Sequence, residues 1–268
     1  MMDWIIPDGA TSHPATYMLV TVLAFMLMGV DKGGFGGVGM LSVPLLMMVA
    51  PAQFVLGMWL PLLVLCDIFT LRAYPKEWQL RPLLLLAPGA ICGLGVGYLL
   101  LNRIEPWMIK LCVGGLAVGF VGLDALRTRL VRRIAGETPR SGWRPSLLTA
   151  SPFGLAAGVT TMVAHAAGPI TSVYFIPQRM DPRTFAGTCG RYYFVFNSLK
   201  VPFFVVAGLI NAQTLLKSLW LVPLAPVAVL LGSAMNRRLT TTSFTRVVYA
   251  LLFVSGLYLI YANATGPN

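Results

Sequence analysis

Six ionisable residues, Asp31, Lys32, Asp67, His165, Arg191 and Lys200, fall inside otherwise apolar stretches of this 268-residue chain. A charge near the centre of a bilayer costs at least about 2.5 kcal/mol on insertion scales, so each needs a partner, a cavity or a task. Three are cations, two are carboxylates and one is a histidine, and a bound anion would complete that set. The guanidinium of Arg191 suits an oxyanion, which it can grip through two parallel hydrogen bonds. Lys32 sits in GVDKGGFGGVG (Gly29 to Gly39). There Gly33, Gly34 and Gly36 let backbone approach a ligand, and the helix start that follows offers unpaired N–H groups. Around His165 the chain reads GVTTMVAHAAGP: Thr160 and Thr161 supply hydroxyls, His165 a titratable ring, and Gly168 with Pro169 opens a short helix. Arg191 and Lys200 are separated by about 13 Å along a helix, so they sit at different depths, and Asn197 shares the face of Lys200 one turn earlier.

These residues form the expected substrate set: Lys32, Gly33, Gly34, Gly36, Thr160, Thr161, His165, Gly168, Arg191, Asn197 and Lys200. Asp31, Asp67 and His165 are the candidates to carry a coupled proton. Structural readings stand beside these: local pairing of Asp31 with Lys32, a hydrogen-bonded core role for His165, and an ion pair between Arg191 and Asp67 or Asp31. Other chemistries fit worse. GVDKGGFGG lacks the GxxxxGK[ST] order of a phosphate loop. GTCG around Cys189 is a poor nucleophile turn, and Cys66, Cys92, Cys112 and Cys189 have no CxxC spacing for zinc. No catalytic role, metal or cofactor is expected.

Composition dictates the elements that must hold these groups. Hydrophobic residues make up 57% of the chain and charged ones 11%, against roughly 25% charge in soluble domains. Mean hydropathy is +0.76, so most of the chain belongs in lipid. The net charge of +11 lies in short stretches between apolar runs, which argues for membrane orientation and against nucleic acid. The first residues lack the basic region and cleavage site of a signal peptide, so the first apolar segment is expected to stay.

Six runs approach the roughly 20 residues that a spanning helix needs: Ala52 to Phe69, Pro82 to Leu101, Trp107 to Leu126, Thr184 to Ile210, Leu215 to Met235 and Val247 to Ala264. Trp78, Trp107, Trp143 and Trp220 fall near span ends, as interfacial anchors do. Two longer regions, Tyr17 to Ala50 and Leu147 to Pro177, are interrupted by the two glycine-rich segments, and each is expected to form a hairpin of two short helices. If each hairpin leaves and returns on one face, fourteen of the twenty basic residues share a side, and the positive-inside rule makes that side cytoplasmic with both termini outside.

Three divisions follow: a first membrane repeat over 1–126, a basic cytoplasmic linker over 127–145, and a second repeat over 146–268. Each repeat is a glycine-broken hairpin followed by three transmembrane helices, and the two halves are inverted. Gly29, Val30 and Gly39 match Gly158, Val159 and Gly168 at one offset, and Gly57 and Asp67 face Gly187 and Asn197 at an offset one larger. The fold class is therefore all-α integral membrane with an inverted repeat, the layout of many secondary transporters, whose substrate lies near the midplane.

At GVDKGGFGGVGMLSVPLL, CDIFTLRAYPKEWQLRPLLLLAPGAICGLGVGYLL and GLAAGVTTMVAHAAGPITSVYF the chain resembles the TauE/SafE family of sulfite and organosulfonate transporters, over nearly its whole length. The resemblance implies a multi-pass protein of the bacterial inner membrane that moves a small sulfur-containing oxyanion, coupled to the proton or charge gradient. Expected partners are the bilayer, that anion and a second copy in a homodimer. An anion channel, or a membrane protein without a transport role, remains the competing expectation.

Overall fold

Proline and glycine decide where the helices of this chain begin and end. The computed structural model describes residues 5–10, 13–34, 38–134, 145–238 and 242–264, with side chains described outside 123–134 and 237–247. In chain order the helices are α1 (Pro14–Lys32), α2 (Ser42–Met47), α3 (Ala52–Ala73), α4 (Leu80–Leu101), α5 (Pro106–Ile134), α6 (Leu147–Ala164), α7 (Gly168–Phe175), α8 (Pro182–Val206), α9 (Ala212–Leu216), α10 (Leu224–Arg238) and α11 (Thr242–Asn263). No strand occurs among the described residues.

Pro14 opens α1, where its missing N–H costs no hydrogen bond, and Gly33 followed by Gly34 at φ +102° closes it. Ser146 and Thr149 cap the start of α6 reciprocally, and His165 ends it in the left-handed region at φ +52°. Asp181 caps α8 through the N–H groups of Arg183 and Thr184, and hydrogen bonds from Thr184 hold its carboxyl below the usual range.

Two helix pairs pack through glycine. In α4 and α6, a Cβ on Gly89, Gly93, Gly154 or Gly158 would overlap the backbone of the facing helix. In α1 and α10, a Cβ on Gly29 would strike Ala228, and one on Gly33 or Gly232 would strike opposing backbone. Small residues three or four apart let helices in lipid approach closely enough for dispersion to hold them. The outer faces carry Leu84, Ile91 and Leu99 on α4 and Leu251, Val254 and Tyr258 on α11, all exposed. Lipid is the solvent such a surface requires.

α1, α3, α4 and α6 are each long and apolar enough to cross a bilayer, and α9 with α10 makes a fifth span if counted as one element bent by 53°. That bend corrects the expectation of a plain span over Leu215 to Met235. α8 is long enough at 25 residues, but it holds Arg183, Arg191 and Lys200 and is less apolar for that reason.

The hairpins also differ from expectation. Their first arms are full-length helices of 19 and 18 residues, about 28 Å each, while the returning arms α2 and α7 have only 6 and 8. Both breaks fall inside the expected segments, at Gly33 and Gly34 and at His165; it is the unequal length of the arms that departs from a hairpin of two short helices. Gly9, just before α1, sits against Pro51 at the start of α3; Ser151 of α6 lies on Gly89 within α4, and Glu77 of the α3–α4 connection lies on Gly187 of α8. The helix of α5 continues to Ile134, so the first part of the expected linker is helical; its residues 135–144 lie outside the described residues, as does Gly36.

This packing predicts a position-dependent response. Gly158→Leu forces a side chain into the backbone of α4 and is expected to cost at least 1–3 kcal/mol, lowering the melting temperature of detergent-purified protein. Gly95→Leu, where a Cβ meets nothing within 4 Å, should melt at or above the wild-type temperature.

Candidate functional site

A helix that ends inside a bilayer leaves carbonyls that water cannot reach, and α3 supplies the donors for α1. The Thr70 hydroxyl donates to the carbonyl of Lys32 at 2.9 Å and the Tyr74 hydroxyl to that of Gly33 at 2.6 Å. This fixes the last turn of α1 and delivers Lys32 to Asp67, which is fully buried on α3: Nζ lies 2.7 Å from Oδ1. Asn197 of α8 donates to the other carboxylate oxygen at 2.7 Å. The face of the Tyr193 ring lies 4.0 Å from the Lys32 ammonium and adds a cation–π contact. Tyr193 in turn shares a 2.8 Å hydrogen bond with Thr171 of α7.

The second break is held differently. Lys200 of α8 is fully buried and its Nζ meets the carbonyl of Thr161 at 3.1 Å, the hydroxyl of Thr161 at 2.9 Å and Nδ1 of His165 at 3.0 Å. His165 Nε2 lies 3.1 Å from the carbonyl of Leu56. A carbonyl only accepts, so Nε2 carries the ring proton and Nδ1 presents a lone pair to Lys200. The three close partners of Lys200 are all uncharged acceptors. His165 also rests against Phe204, 5.6 Å between ring centroids.

Two cavities meet between the breaks. The smaller, about 50 Å³, is lined by Asp31, Lys32, Ser42, Thr161, His165, Gly168, Tyr193 and Asn197 among others, room for one or two water-sized groups at roughly 30 Å³ each. The larger, about 1060 Å³, runs from Asp31, Lys32, Gly34 and Gly168 out to Pro152, Met180 and Pro182. Asp31, Lys32, Met40, Gly168 and Tyr193 belong to both, so this group forms the border between them. Gly39 is required there because a Cβ would overlap the Asp31 carboxyl.

The structure therefore brings Asp31, Lys32, Asp67, Thr161, His165, Gly168, Asn197 and Lys200 together, while three expected residues stand apart. Gly33 is packed against α10. The Thr160 hydroxyl donates back to the Ala156 carbonyl at 2.9 Å, within its own helix. Arg191 is the larger correction. Its guanidinium donates to the carbonyls of Tyr74 at 3.0 Å, Gly187 at 3.1 Å and Pro75 at 2.7 Å, and it stacks on Trp78 at 4.6 Å. It pins the turn after α3 to α8 and lines neither cavity. Without it the site holds two cations against two carboxylates. Sequence reasoning missed Tyr193, Thr171 and Ser42, ordinary side chains in spans with no charge to flag them.

Because Lys32 and Asp67 are desolvated together, removing one partner leaves a buried charge. Asp67→Ala is expected to destabilise by about 3–5 kcal/mol, while Lys32→Met with Asp67→Leu should cost less than either single change. Thermal unfolding of the three variants in detergent measures this.

One comparison places the chain among known proteins. A family model described as Sulfite exporter TauE/SafE matches residues 21–259. No curated protein and no solved structure matches the chain. The matched stretch takes in both broken hairpins, the Lys32–Asp67 pair and the Lys200 cluster. This multi-pass helical membrane protein belongs to the TauE/SafE family of sulfite exporters, which are membrane transporters.

Proposed function

We propose that the protein is a secondary transporter that carries a small sulfur-containing oxyanion across the bacterial inner membrane by alternating access. The observation that carries this reading is the border between the cavities: Lys32 lines both the small chamber at the meeting of two helix breaks and the wide vestibule. An oxyanion in the small chamber would meet the Lys32 ammonium, the Thr161 hydroxyl, the Asn197 amide and the first turn of α7 at Gly168, whose partial positive charge favours an anion. Lys200 lies directly behind Thr161 and adds a positive field.

Support for two inverted halves comes from the contacts. The α1–α10 and α6–α4 packings are counterparts, and α3 meets α8 while α5 meets α11. Thr70 donates to the carbonyl of Lys32, and Lys200, at the matching place in the second half, donates to that of Thr161. Asp67 and Asn197, opposite one another in the repeat, are hydrogen-bonded.

The vestibule reaches Met180 and Pro182, next to Arg179 and Arg183, on the face that the basic loops mark as cytoplasmic. The structure is thus read as a cytoplasm-open state. Two cations and two carboxylates leave the empty site near neutrality, so an arriving anion calls for a proton, carried by Asp31, Asp67 or His165. A proton on Nδ1 of His165 would displace the Lys200 hydrogen bond, which links protonation to the second break.

Counterflow in proteoliposomes tests this reading: labelled sulfite outside should overshoot equilibrium when unlabelled sulfite is loaded inside. An anion channel would give dissipative flux without overshoot. Lys32→Ala is expected to weaken sulfite affinity at least tenfold, about 1.4 kcal/mol; wild-type affinity in that variant would remove Lys32 from the binding role.

A further inference from the structure

We infer that residues 5–10 form a strap that shuts the end of the protein opposite the vestibule mouth, with Lys217 as its latch: the strap must release Lys217 before the site can open on that side. This rests on the alternating-access reading and adds to it the element that closes one end. The first observation is position. Gly9 sits against Pro51, directly before α3, whereas Glu77, just past the other end of α3, lies on Gly187 near the start of α8, where Met180 and Pro182 line the vestibule. α3 has 22 residues, about 33 Å, so strap and mouth lie at opposite ends of that helix. No described residue of the strap or of α9 lines either cavity.

The second observation is that the strap is built as a plug. Ile5 and Pro7 are buried, and Ile6 and Ala10 pack on the main core. Between them the chain turns, the N–H of Ala10 donating to the carbonyl of Pro7 at 3.2 Å. Gly9, the third residue of that turn, takes φ +77°, which glycine adopts without strain. Asp8 and Gly9 are exposed.

The third observation is the latch. Lys217, which ends α9, is 6% exposed and its Nζ donates to the carbonyl of Ile6. Among the described residues that carbonyl is its one hydrogen-bond partner, and no carboxylate pairs with it. An ammonium has three protons to give, so a single neutral acceptor holds it less firmly than the three that hold Lys200 or the carboxylate that holds Lys32. A contact of that kind is readily exchanged for water. Lys217 also belongs to the arm Ala212–Leu221, which meets α10 at 53° across Val222 and Pro223. Proline interrupts helical hydrogen bonding there, so the arm is hinged to α10 and can part from the strap while α10 stays packed on α1.

The test uses the full chain. In nanodiscs, where both faces are accessible, Ser218→Cys reports opening beside the latch by its rate of reaction with a membrane-impermeant maleimide, located by peptide mass spectrometry; Ser218 is 3% exposed. Lys217→Met keeps an unbranched side chain and removes the donor. It is expected to raise the rate at residue 218 at least tenfold, with Cys66, fully buried on α3, still unreacted. A second variant locks the strap. A Cβ on Gly9 would lie 3.3 Å from Cγ of Pro51, close enough for Gly9→Cys with Pro51→Cys to form a disulfide. The oxidised protein is expected to lose sulfite counterflow in proteoliposomes, and dithiothreitol to restore it. An unchanged labelling rate in Lys217→Met, a rise matched at Cys66, or full counterflow through the oxidised disulfide overturns the strap and leaves the transport reading standing. Absence of counterflow in the unmodified chain overturns the transport reading and, with it, the role given to the strap.

Discussion

Burying an ammonium where water cannot follow is the constraint from which the interior of this protein is built. Two lysines meet it in different ways. Lys32 is neutralised by Asp67 at 2.7 Å, with Asn197 completing the carboxylate and Tyr193 covering the open side. Lys200 has three close acceptors and none of them is charged. A buried ion pair is weak as a source of stability, because desolvation offsets most of its attraction. One ion pair and one ammonium held by neutral acceptors thus stand side by side between the two helix breaks.

The breaks themselves depend on packing at a distance. The last carbonyls of α1 accept from Thr70 and Tyr74, and Thr161 in the last turn of α6 accepts from Lys200. Those donors stay in place because glycine lets α10 lie on α1 and α4 lie on α6 at backbone contact. Side chains at Gly29, Gly33, Gly93 or Gly158 would open these interfaces and leave the helix ends without their partners. The polar contacts, among them Lys200 with His165, lie between these close-packed pairs.

Arg191 and Lys200 illustrate how one helix divides its labour. Both lie on α8. Arg191 meets the turn after α3 and a tryptophan face, and its planar fork donates to two carbonyls of that turn, Tyr74 and Pro75, and to Gly187 one turn back on its own helix. Lys200 meets a helix terminus at depth, where a single ammonium reaches a carbonyl, a hydroxyl and a ring nitrogen. Swapping the two residues would suit neither place.

Much of this was legible from residue order. Apolar runs and their interruptions announced helices in lipid and two broken hairpins, since backbone at depth tolerates glycine and proline only beside protein or a cavity. The cost of charge in hydrocarbon singled out Asp31, Lys32, Asp67, His165, Arg191 and Lys200, of which all but Arg191 gather between the breaks. Both bends fall inside the glycine-rich segments that residue order marked, but periodicity could not tell that the first arms would be full helices and the returning arms short. Nor could it sort Arg191 from Lys200, which look alike along the chain and differ in what faces them across space. Tyr193 carries no charge and no spacing signal. Its place beside Lys32 comes solely from the packing of α1, α7 and α8 around one cavity. Local order thus determined which residues are expensive to bury, while tertiary contact decided which of them are satisfied by backbone and which are left facing open space.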